Sequence, residues 1–155
     1  MGIEYVTYRK DVDSSEMLGT LMLGLVGVYK KFGEWVESGG GENTPEECEE
    51  RLREMAVLVV ALEKGRVVGA AAAESWKGRI WDLSWAFVEK NKRERGVWTR
   101  LAEIRIEEAR NAGARVIRFF PSYRSEFLAE SMKKMGFQED NDGDGMYLLC
   151  GPCGI

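Results

Sequence analysis

The segment RERGVWTRL, residues 93 to 101, has the residue types and spacing of an anion-binding loop. Arg93 is followed three positions later by Gly96, and an amphipathic segment begins at Val97. Backbone N–H groups at a helix N-terminus bind phosphate, and a glycine lets the chain turn sharply and come close to the ligand. Arg93 and Arg95 add positive charge. We therefore expect this loop to bind a phosphate group, and the alternative is an ordinary turn that leads into a core helix.

Trp98 is the unusual residue of this loop, because a small side chain would leave more room for a ligand. On a helical wheel it falls within about 100° of arc with four apolar residues of the following helix, Leu101, Ala102, Ala109 and Ala112. This placement favours an indole that packs in the core while the backbone amide faces the ligand. The alternative is an indole that blocks the phosphate site.

The absence of histidine from the sequence limits the chemistry. It excludes Ser-His-Asp and Cys-His catalytic arrangements and metal sites with histidine ligands. Any general base must therefore be a carboxylate, a tyrosine, a lysine or a water molecule that the protein holds.

Charge is distributed unevenly along the 155 residues, and the net charge of −4 argues against nucleic-acid binding. Residues 89 to 118 contain nine Lys or Arg and five Glu, a balance of +4, so the remainder carries −8. This local excess of arginine supports an anionic ligand at the loop.

Hydropathy indicates no contact with a membrane. The longest apolar stretch, residues 18 to 29, is shorter than a membrane span, and the first residues do not have the pattern of a signal peptide. We expect a cytoplasmic protein in which residues 1–155 form a single domain.

Hydrophobic periodicity predicts the elements that must position the loop. Strands are predicted near residues 3–9, 56–63, 66–76, 79–89 and 114–120, with a final hairpin over 137–150. Helices are predicted over 14–36, 44–55, 97–113 and 125–136. Three meandering strands followed by a β-α-β unit predict an α/β protein with a mixed, mostly antiparallel sheet and helices on both faces.

The strand at 79–89 alternates in a way that assigns its side chains to two faces. One face is expected to carry Trp81, Leu83, Trp85 and Phe87. The other is expected to carry Ile80, Asp82, Ser84, Ala86 and Val88.

With this element order and an Arg-x-x-Gly loop before a helix, the sequence resembles the GNAT superfamily of acetyl-CoA-dependent N-acyltransferases over roughly residues 3–149. The most specific segment is VEKNKRERGVWTRLAEIRIEEARNAGARVIRF, residues 88–119. SMKKMGF, residues 131–137, resembles a later family helix that ends in Gly-Phe. Where the family has Arg/Gln-x-x-Gly-x-Gly/Ala, this chain has Arg93, Gly96 and Trp98, so it departs from the motif at the sixth position.

The resemblance implies acetyl-CoA as co-substrate. Its phosphates would lie at the loop, and its pantetheine arm would pair with the backbone of the strand that ends at Val88. The implied cofactor-binding residues are Phe87, Val88, Arg93, Arg95, Gly96, Val97, Trp98 and Ser125. Backbone N–H groups from Ala86 to Val88, where the strands are expected to separate, are the candidates for stabilising an oxyanion.

Acetyl transfer to an amine needs a general base and help for the leaving thiolate. Asp82 is the first candidate base, since its place resembles that of the catalytic carboxylate in some family members, and the alternative is a solvated or strand-paired carboxylate. Glu74 is the second candidate. The tyrosine that acts as general acid in the family corresponds to Met132 and its asparagine to Ser125. Tyr123 is therefore the remaining candidate acid.

Two further motifs have simpler interpretations. DNDGDG, residues 140–145, matches the start of an EF-hand loop, but its twelfth position is Gly151. This favours a hairpin turn, and no metal site is expected. Together with Glu139, the acidic turn would suit a cationic amine. CGPC, residues 150–153, has the spacing of a redox motif without a helix pattern after it, which argues against redox chemistry.

The sequence therefore predicts an acetyl-CoA-dependent N-acetyltransferase that acts on a small-molecule or peptide amine. The alternative is a catalytically inactive acyl-CoA-binding or interaction module, which Met132 and Trp98 favour. A third possibility is a structural protein that forms a homodimer through the helical region at residues 16–36.

Overall fold

The computed structural model describes residues 2–10, 50, 53–92, 96–120, 126–140 and 145–150 of the chain. Seven strands are described, namely β1 (Glu4–Arg9), β2 (Val57–Glu63), β3 (Arg66–Trp76), β4 (Ile80–Val88), β5 (Val116–Phe119), β6 (Gln138–Glu139) and β7 (Met146–Leu149). Among the described residues, the α-helices with defined bounds are α1 (Val97–Asn111) and α2 (Glu126–Lys134), and a 3-10 turn covers Lys90–Lys92. The predicted order of elements is confirmed over these residues. The helical region predicted at 14–36 lies outside them.

The seven strands form one mixed sheet in the order β1-β2-β3-β4-β5-β7-β6. Five of the six strand pairs are antiparallel, and β4 and β5 are parallel. Parallel neighbours need a crossover, and α1 supplies it. The predicted mixed, mostly antiparallel sheet is therefore confirmed.

Short turns connect the three meandering strands, with two residues (64–65) between β2 and β3 and three residues (77–79) between β3 and β4. Lys64 and Gly65 have φ of 51° and 77°, and Lys77 and Gly78 have φ of 55° and 74°. Positive φ at two consecutive turn residues suits the twist of an antiparallel hairpin, and glycine at the second of them adopts it without steric cost. Both Lys-Gly pairs lie in the short gaps between the strands predicted at 56–63, 66–76 and 79–89.

The main hydrophobic core lies between α1 and one face of the sheet. Val97, Leu101 and Ala109 of α1 are at most 1% exposed. They belong to a cluster with alternate residues of the strands, including Val57, Val59, Ala71, Ala73, Trp81, Leu83, Ile117 and Phe119. Met132 of α2 joins this cluster. Complete burial of a leucine contributes about 1.5–3 kcal/mol, so the face of α1 fixes the helix on the sheet.

The opposite face of the sheet is buried along its central strands as well. Leu58, Val60, Ala70 and Ala72 are at most 1% exposed. No helix in the described part of the chain has the length and apolar composition needed to cross a membrane.

Strand β4 contains a bulge that the sequence did not predict. Ala71 of β3 pairs with Ala86, but Ala72 pairs with Ser84, so Trp85 is an extra residue on β4. An extra residue moves all later side chains to the opposite face. The predicted alternation is therefore wrong beyond Ser84, and Val88, which is 5% exposed, lies in the core with Trp81 and Leu83.

Gly69 marks the place where α1 comes very close to the sheet. A Cβ atom on this residue would lie 3.0 Å from the carbonyl oxygen of Phe87, 3.4 Å from Val97 Cγ1 and 3.5 Å from Leu101 Cδ1. Because backbone occupies the nearest space, no larger residue fits without displacing β4 or α1. The close approach places the first turn of α1 beside the end of β4.

We expect Gly69→Ala to lower the free energy of unfolding by about 1–3 kcal/mol, the usual cost of overpacking. Alanine is otherwise better than glycine inside a strand by about 0.5–1 kcal/mol, so the sign of the change is diagnostic. Chemical denaturation of the variant and the wild type measures it. Gly2→Ala is the control, since a Cβ there meets nothing within 4 Å. A Gly69→Ala variant as stable as the wild type would contradict the close approach.

Candidate functional site

The pairing between β4 and β5 ends partway along β4, and the gap beyond the last pair is called the cleft below. The two parallel strands pair from Ile80 with Val116 to Leu83 with Phe119. On its other side β4 stays paired with β3 as far as Val88. The second half of β4 therefore runs on without β5 beside it, in the region where the strands were expected to separate.

The N-terminus of α1 lies beside the end of β4, since Gly69 contacts both Phe87 and Val97. Gly96 is the N-cap residue with φ 78° and ψ 5°, and no side chain in the described part of the chain caps the helix. The first intrahelical bond runs from the Arg100 N–H to the Gly96 carbonyl at 2.9 Å. The three preceding N–H groups, of residues 97–99, thus have no intrahelical acceptor, and a Cβ on Gly96 would meet nothing within 4 Å. Such a helix end attracts an anion through these N–H groups and the helix dipole.

Ion pairs attach the segment before α1 to the β2–β3 hairpin. Lys92 Nζ lies 2.6 Å from a carboxylate oxygen of Glu63, and Arg66 lies 3.2 Å from a carboxylate oxygen of Glu89. The Glu89 N–H also donates to the Val68 carbonyl at 2.9 Å. These contacts could not be predicted from the sequence, since they join residues 23 to 29 positions apart.

Trp98 packs toward the core. Its ring meets that of Phe119 edge-on, with centroids 6.1 Å apart and an interplanar angle of 66°. The indole is half-buried against the core cluster, and Val97 is the first fully buried residue of α1. This geometry agrees with the core interpretation of Trp98. Arg93, Arg95 and Ser125, the other predicted phosphate and cofactor contacts, lie outside the described residues.

Asp82 is held by two partners on the sheet surface. Its Oδ1 accepts from Arg118 Nε at 2.6 Å, and its Oδ2 accepts from Arg118 Nη2 at 2.9 Å and from Trp76 Nε1 at 2.6 Å. The hydrogen bond to Asp82 raises the pKa of the Arg118 guanidinium. A carboxylate offers about four acceptor sites, and three are used here. The pairing links β4 to β5 beside the cleft.

The two candidate bases are cross-strand neighbours. Glu74 of β3 lies directly opposite Asp82 of β4, and Asp82 lies opposite Arg118 of β5. Glu74 and Asp82 are both half-buried on the face of the sheet away from α1. Their proximity was not predicted, because it depends on the register of the β3–β4 pair. Tyr123 lies outside the described residues.

Arg105 is a buried cation of α1 that the sequence analysis missed. Its side chain is fully buried, and the residue is 1% exposed. It donates to the carbonyl oxygens of Leu101 at 3.2 Å, Ala72 at 3.1 Å and Ser84 at 2.9 Å. Burial lowers the pKa of Arg105 to about 9, which leaves it protonated at neutral pH. The signal was its position between Leu101 and Ala109, at steps of four on the core face of the helix.

Comparison with solved structures identifies the architecture. An Ard1 structure from Thermoplasma volcanium superposes with a TM-score of 0.71 and 15% identity over 96% of this chain and 98% of its own. A GNAT-family acetyltransferase from Streptococcus pneumoniae has a TM-score of 0.69 and 19% sequence identity, and the match covers 97% of this chain and 100% of that one. A GNAT-family acetyltransferase from Brucella melitensis, solved in complex with acetyl-CoA, has a TM-score of 0.61 and 18% identity, and the match covers 97% of this chain and 90% of that one. The chain has the GNAT fold. No protein-family model matches the sequence, and no curated protein does.

Met132 lies at the position where the sequence resemblance implied a general-acid tyrosine. The residue is completely buried in the core cluster, so its side chain contributes to packing and does not reach the solvent. The sequence had identified it as the departure from the family pattern.

The acidic motif DNDGDG connects an antiparallel hairpin, as predicted. The strands β6 and β7 flank it, and the Asp140 N–H donates to the Gly145 carbonyl at 2.9 Å. Gly145 lies against Phe120, whose ring carbons would be 2.6 Å from an added Cβ. Among the described residues no group of three potential ligands could hold a metal ion.

Cys150 of CGPC is half-buried and free, and Cys48 lies outside the described residues.

We expect a double-mutant cycle on Asp82→Asn and Arg118→Gln to give a coupling energy of about 1 kcal/mol in denaturation experiments. The pair is bidentate, but the Arg118 side chain is 38% exposed, which limits its strength. The control is the Arg100–Glu103 pair on α1, at 3.4 Å with both side chains 49% exposed, for which we expect about 0.3 kcal/mol. Equal coupling in the two cycles would show that Asp82 is not structurally engaged.

Proposed function

We propose that this protein is an N-acetyltransferase that moves an acetyl group from acetyl-CoA to a primary amine. The N-terminus of α1 behind Gly96 carries this proposal, because no side chain in the described residues caps it and it lies beside the part of β4 that β5 does not pair with. The residues fit a coenzyme A: free N–H groups and a helix dipole suit phosphates, and an extended strand edge suits a pantetheine arm. The Brucella melitensis structure of the same fold contains acetyl-CoA.

Acetyl-CoA supplies the acetyl group as a reactive thioester. The N–H groups of residues 97–99, with Arg93 and Arg95, are proposed to bind its phosphates, and Ser125 is proposed as a further cofactor contact. The pantetheine arm is proposed to lie along the end of β4, at Phe87 and Val88. A backbone N–H group of β4 near the bulge then stabilises negative charge on the carbonyl oxygen as the amine attacks. Much of the acceleration then comes from holding the two reactants in line.

The acceptor is proposed to be a cationic amine. Glu74, Asp82 and the acidic turn that follows Glu139 give the acceptor side negative charge. An aminoglycoside 6′-acetyltransferase type Ii has the same fold with a TM-score of 0.62 and 19% identity. Cationic amines, including aminoglycosides, are therefore the first compounds to screen. A single domain, a homodimer and a cytoplasmic location remain predictions from the sequence.

A carboxylate on the face away from α1 is proposed to take the proton from the amine. Asp82 was the first candidate, but the hydrogen bonds from Arg118 and Trp76 favour a structural role for it. Glu74, the second candidate, lies directly opposite Asp82 on β3, and it is the first residue to test as general base, acting directly or through a water molecule. Tyr123 remains a candidate for donating a proton to the thiolate, and the solvent is the alternative donor.

Gly96→Trp is expected to weaken acetyl-CoA binding at least about tenfold, since it fills the space in front of the α1 N–H groups and removes charge-assisted hydrogen bonds. Calorimetric titration with acetyl-CoA measures the affinity, which we expect to be micromolar for the wild type. Arg93→Ala is expected to weaken it as well.

Gly113→Trp is the matched control for Gly96→Trp. Gly113 follows the other end of α1, has φ of 92°, and a Cβ there also meets nothing within 4 Å. Both variants therefore carry similar backbone strain, but only Gly96 lies at the proposed phosphate site. No binding of acetyl-CoA or CoA to the wild type at millimolar concentration would refute the proposed function.

Glu74→Gln is expected to lower turnover about 10²–10⁴-fold with any amine that the screen identifies, the usual contribution of a general base, while acetyl-CoA affinity stays the same. Asp82→Asn is the comparison, and we expect it to reduce stability more than turnover. The reverse result, with Asp82→Asn folded and inactive, would assign the base to Asp82.

A second candidate function is a catalytically inactive acyl-CoA-binding module. Met132 favours it, because the residue that would carry the family's proton donor is buried in the core. Micromolar binding of acetyl-CoA without acetylation of any amine in the screen would support this function over the enzyme.

A further inference from the structure

Arg105 reaches from α1 into the bulge between β3 and β4. One nitrogen, Nη1, donates both to the Ala72 carbonyl at 3.1 Å and to the Ser84 carbonyl at 2.9 Å. The register shift of the β3–β4 pair occurs next to these two residues, with Trp85 as the extra residue. The guanidinium therefore occupies the place where the ladder of backbone hydrogen bonds is interrupted.

The orientation of the Ser84 carbonyl determines the direction of the next N–H group. Ser84 and Ala72 are cross-strand partners, and one nitrogen atom binds both of their carbonyl oxygens, so the Ser84 carbonyl points toward β3. In a planar trans peptide the C=O and N–H bonds point in opposite directions. The Trp85 N–H consequently points away from β3, toward the side of β4 where pairing with β5 has ended at Leu83.

The charge of Arg105 is not balanced by a carboxylate within the described residues. Its three hydrogen-bond acceptors are all neutral backbone carbonyls. Its Nη2 atom is buried and has no hydrogen-bond partner in the part of the chain that the structure describes. A buried cation without an ion-pair partner lowers the stability of the fold. If the side chain only filled the bulge, an uncharged residue would do so at a smaller cost. A cation that binds a carbonyl also polarises the peptide and makes its N–H a stronger donor.

We propose that Arg105 is a positioning residue for acetyl transfer, which directs and polarises the Trp85 N–H so that it binds the carbonyl oxygen of the acetyl group. This inference rests on the proposed function and adds to it a specific donor and the side chain that orients it. Arg105 does not touch the substrate and acts through the Ser84–Trp85 peptide. As the amine attacks, negative charge grows on the acetyl oxygen, and the strengthened Trp85 donor stabilises it.

The test is infrared difference spectroscopy of acetyl-CoA labelled with ¹³C at the acetyl carbonyl, bound to wild type and to Arg105→Met. A hydrogen bond to the carbonyl lowers its stretching frequency, so we expect a lowered band in the wild-type complex and a higher band in Arg105→Met. Calorimetric affinity for acetyl-CoA is expected to change by less than about threefold, since the phosphate site is separate. Turnover is expected to fall about tenfold or more, short of the 10²–10³-fold loss on removing an oxyanion donor itself.

Arg105→Gln is the second variant, since it keeps an amide donor for the two carbonyls but lacks the charge. If Arg105→Met does not fold, the frequency of the acetyl carbonyl band in Arg105→Gln is compared with that in the wild type instead. A lower melting temperature with the carbonyl band unchanged in a folded variant would overturn the inference alone and leave Arg105 a structural residue. A wild-type protein that does not bind acetyl-CoA would overturn the proposed function and this inference with it.

Discussion

Strand β4 pairs with an antiparallel neighbour on one side and a parallel neighbour on the other, and the geometry of the candidate site depends on this arrangement. It pairs with β3 along its whole length in an antiparallel arrangement and with β5 over only four residues in a parallel one. The extra residue at Trp85 lies just beyond the last pair with β5. A bulge increases local twist, which lets β4 keep β3 while it leaves β5. The bulge also turns Val88 into the core, so the end of the strand is fixed beneath α1.

Contacts with the β2–β3 hairpin hold the N-terminus of α1 in place. Gly69 of β3 permits the close approach of Val97, while Glu63 and Arg66 pair with Lys92 and Glu89. The Lys92 and Glu63 side chains are only 12% and 26% exposed, so this pair is screened less by salt than a surface pair. A phosphate site of free N–H groups needs such support, because no side chain in the described residues caps the helix.

The sequence predicted those features that local residue types determine. Lys-Gly turns, the glycines at 96, 113 and 136 and the strand and helix order follow from backbone preferences and periodicity, and the structure has them. The bulge could not be predicted, because β4 is apolar on both sides of Trp85 and either register buries apolar residues. The pairing of Asp82 with Arg118 joins residues 36 positions apart and depends on that register. The roles of Arg93, Arg95, Tyr123 and Ser125 remain predictions.

The lack of histidine makes this site depend on fixed charges and dipoles. The chain has no histidine, and the buried Met132 has no titratable side chain. In the proposed reaction, transition-state stabilisation comes from groups whose charge is constant near neutral pH, namely the α1 dipole, the β4 N–H groups and the Arg105 guanidinium. Such groups are effective only when water is kept away and they are held rigidly in advance. Because Arg105 is buried, its guanidinium is kept from water and held rigidly. The same burial of a charge lowers the stability of the folded protein.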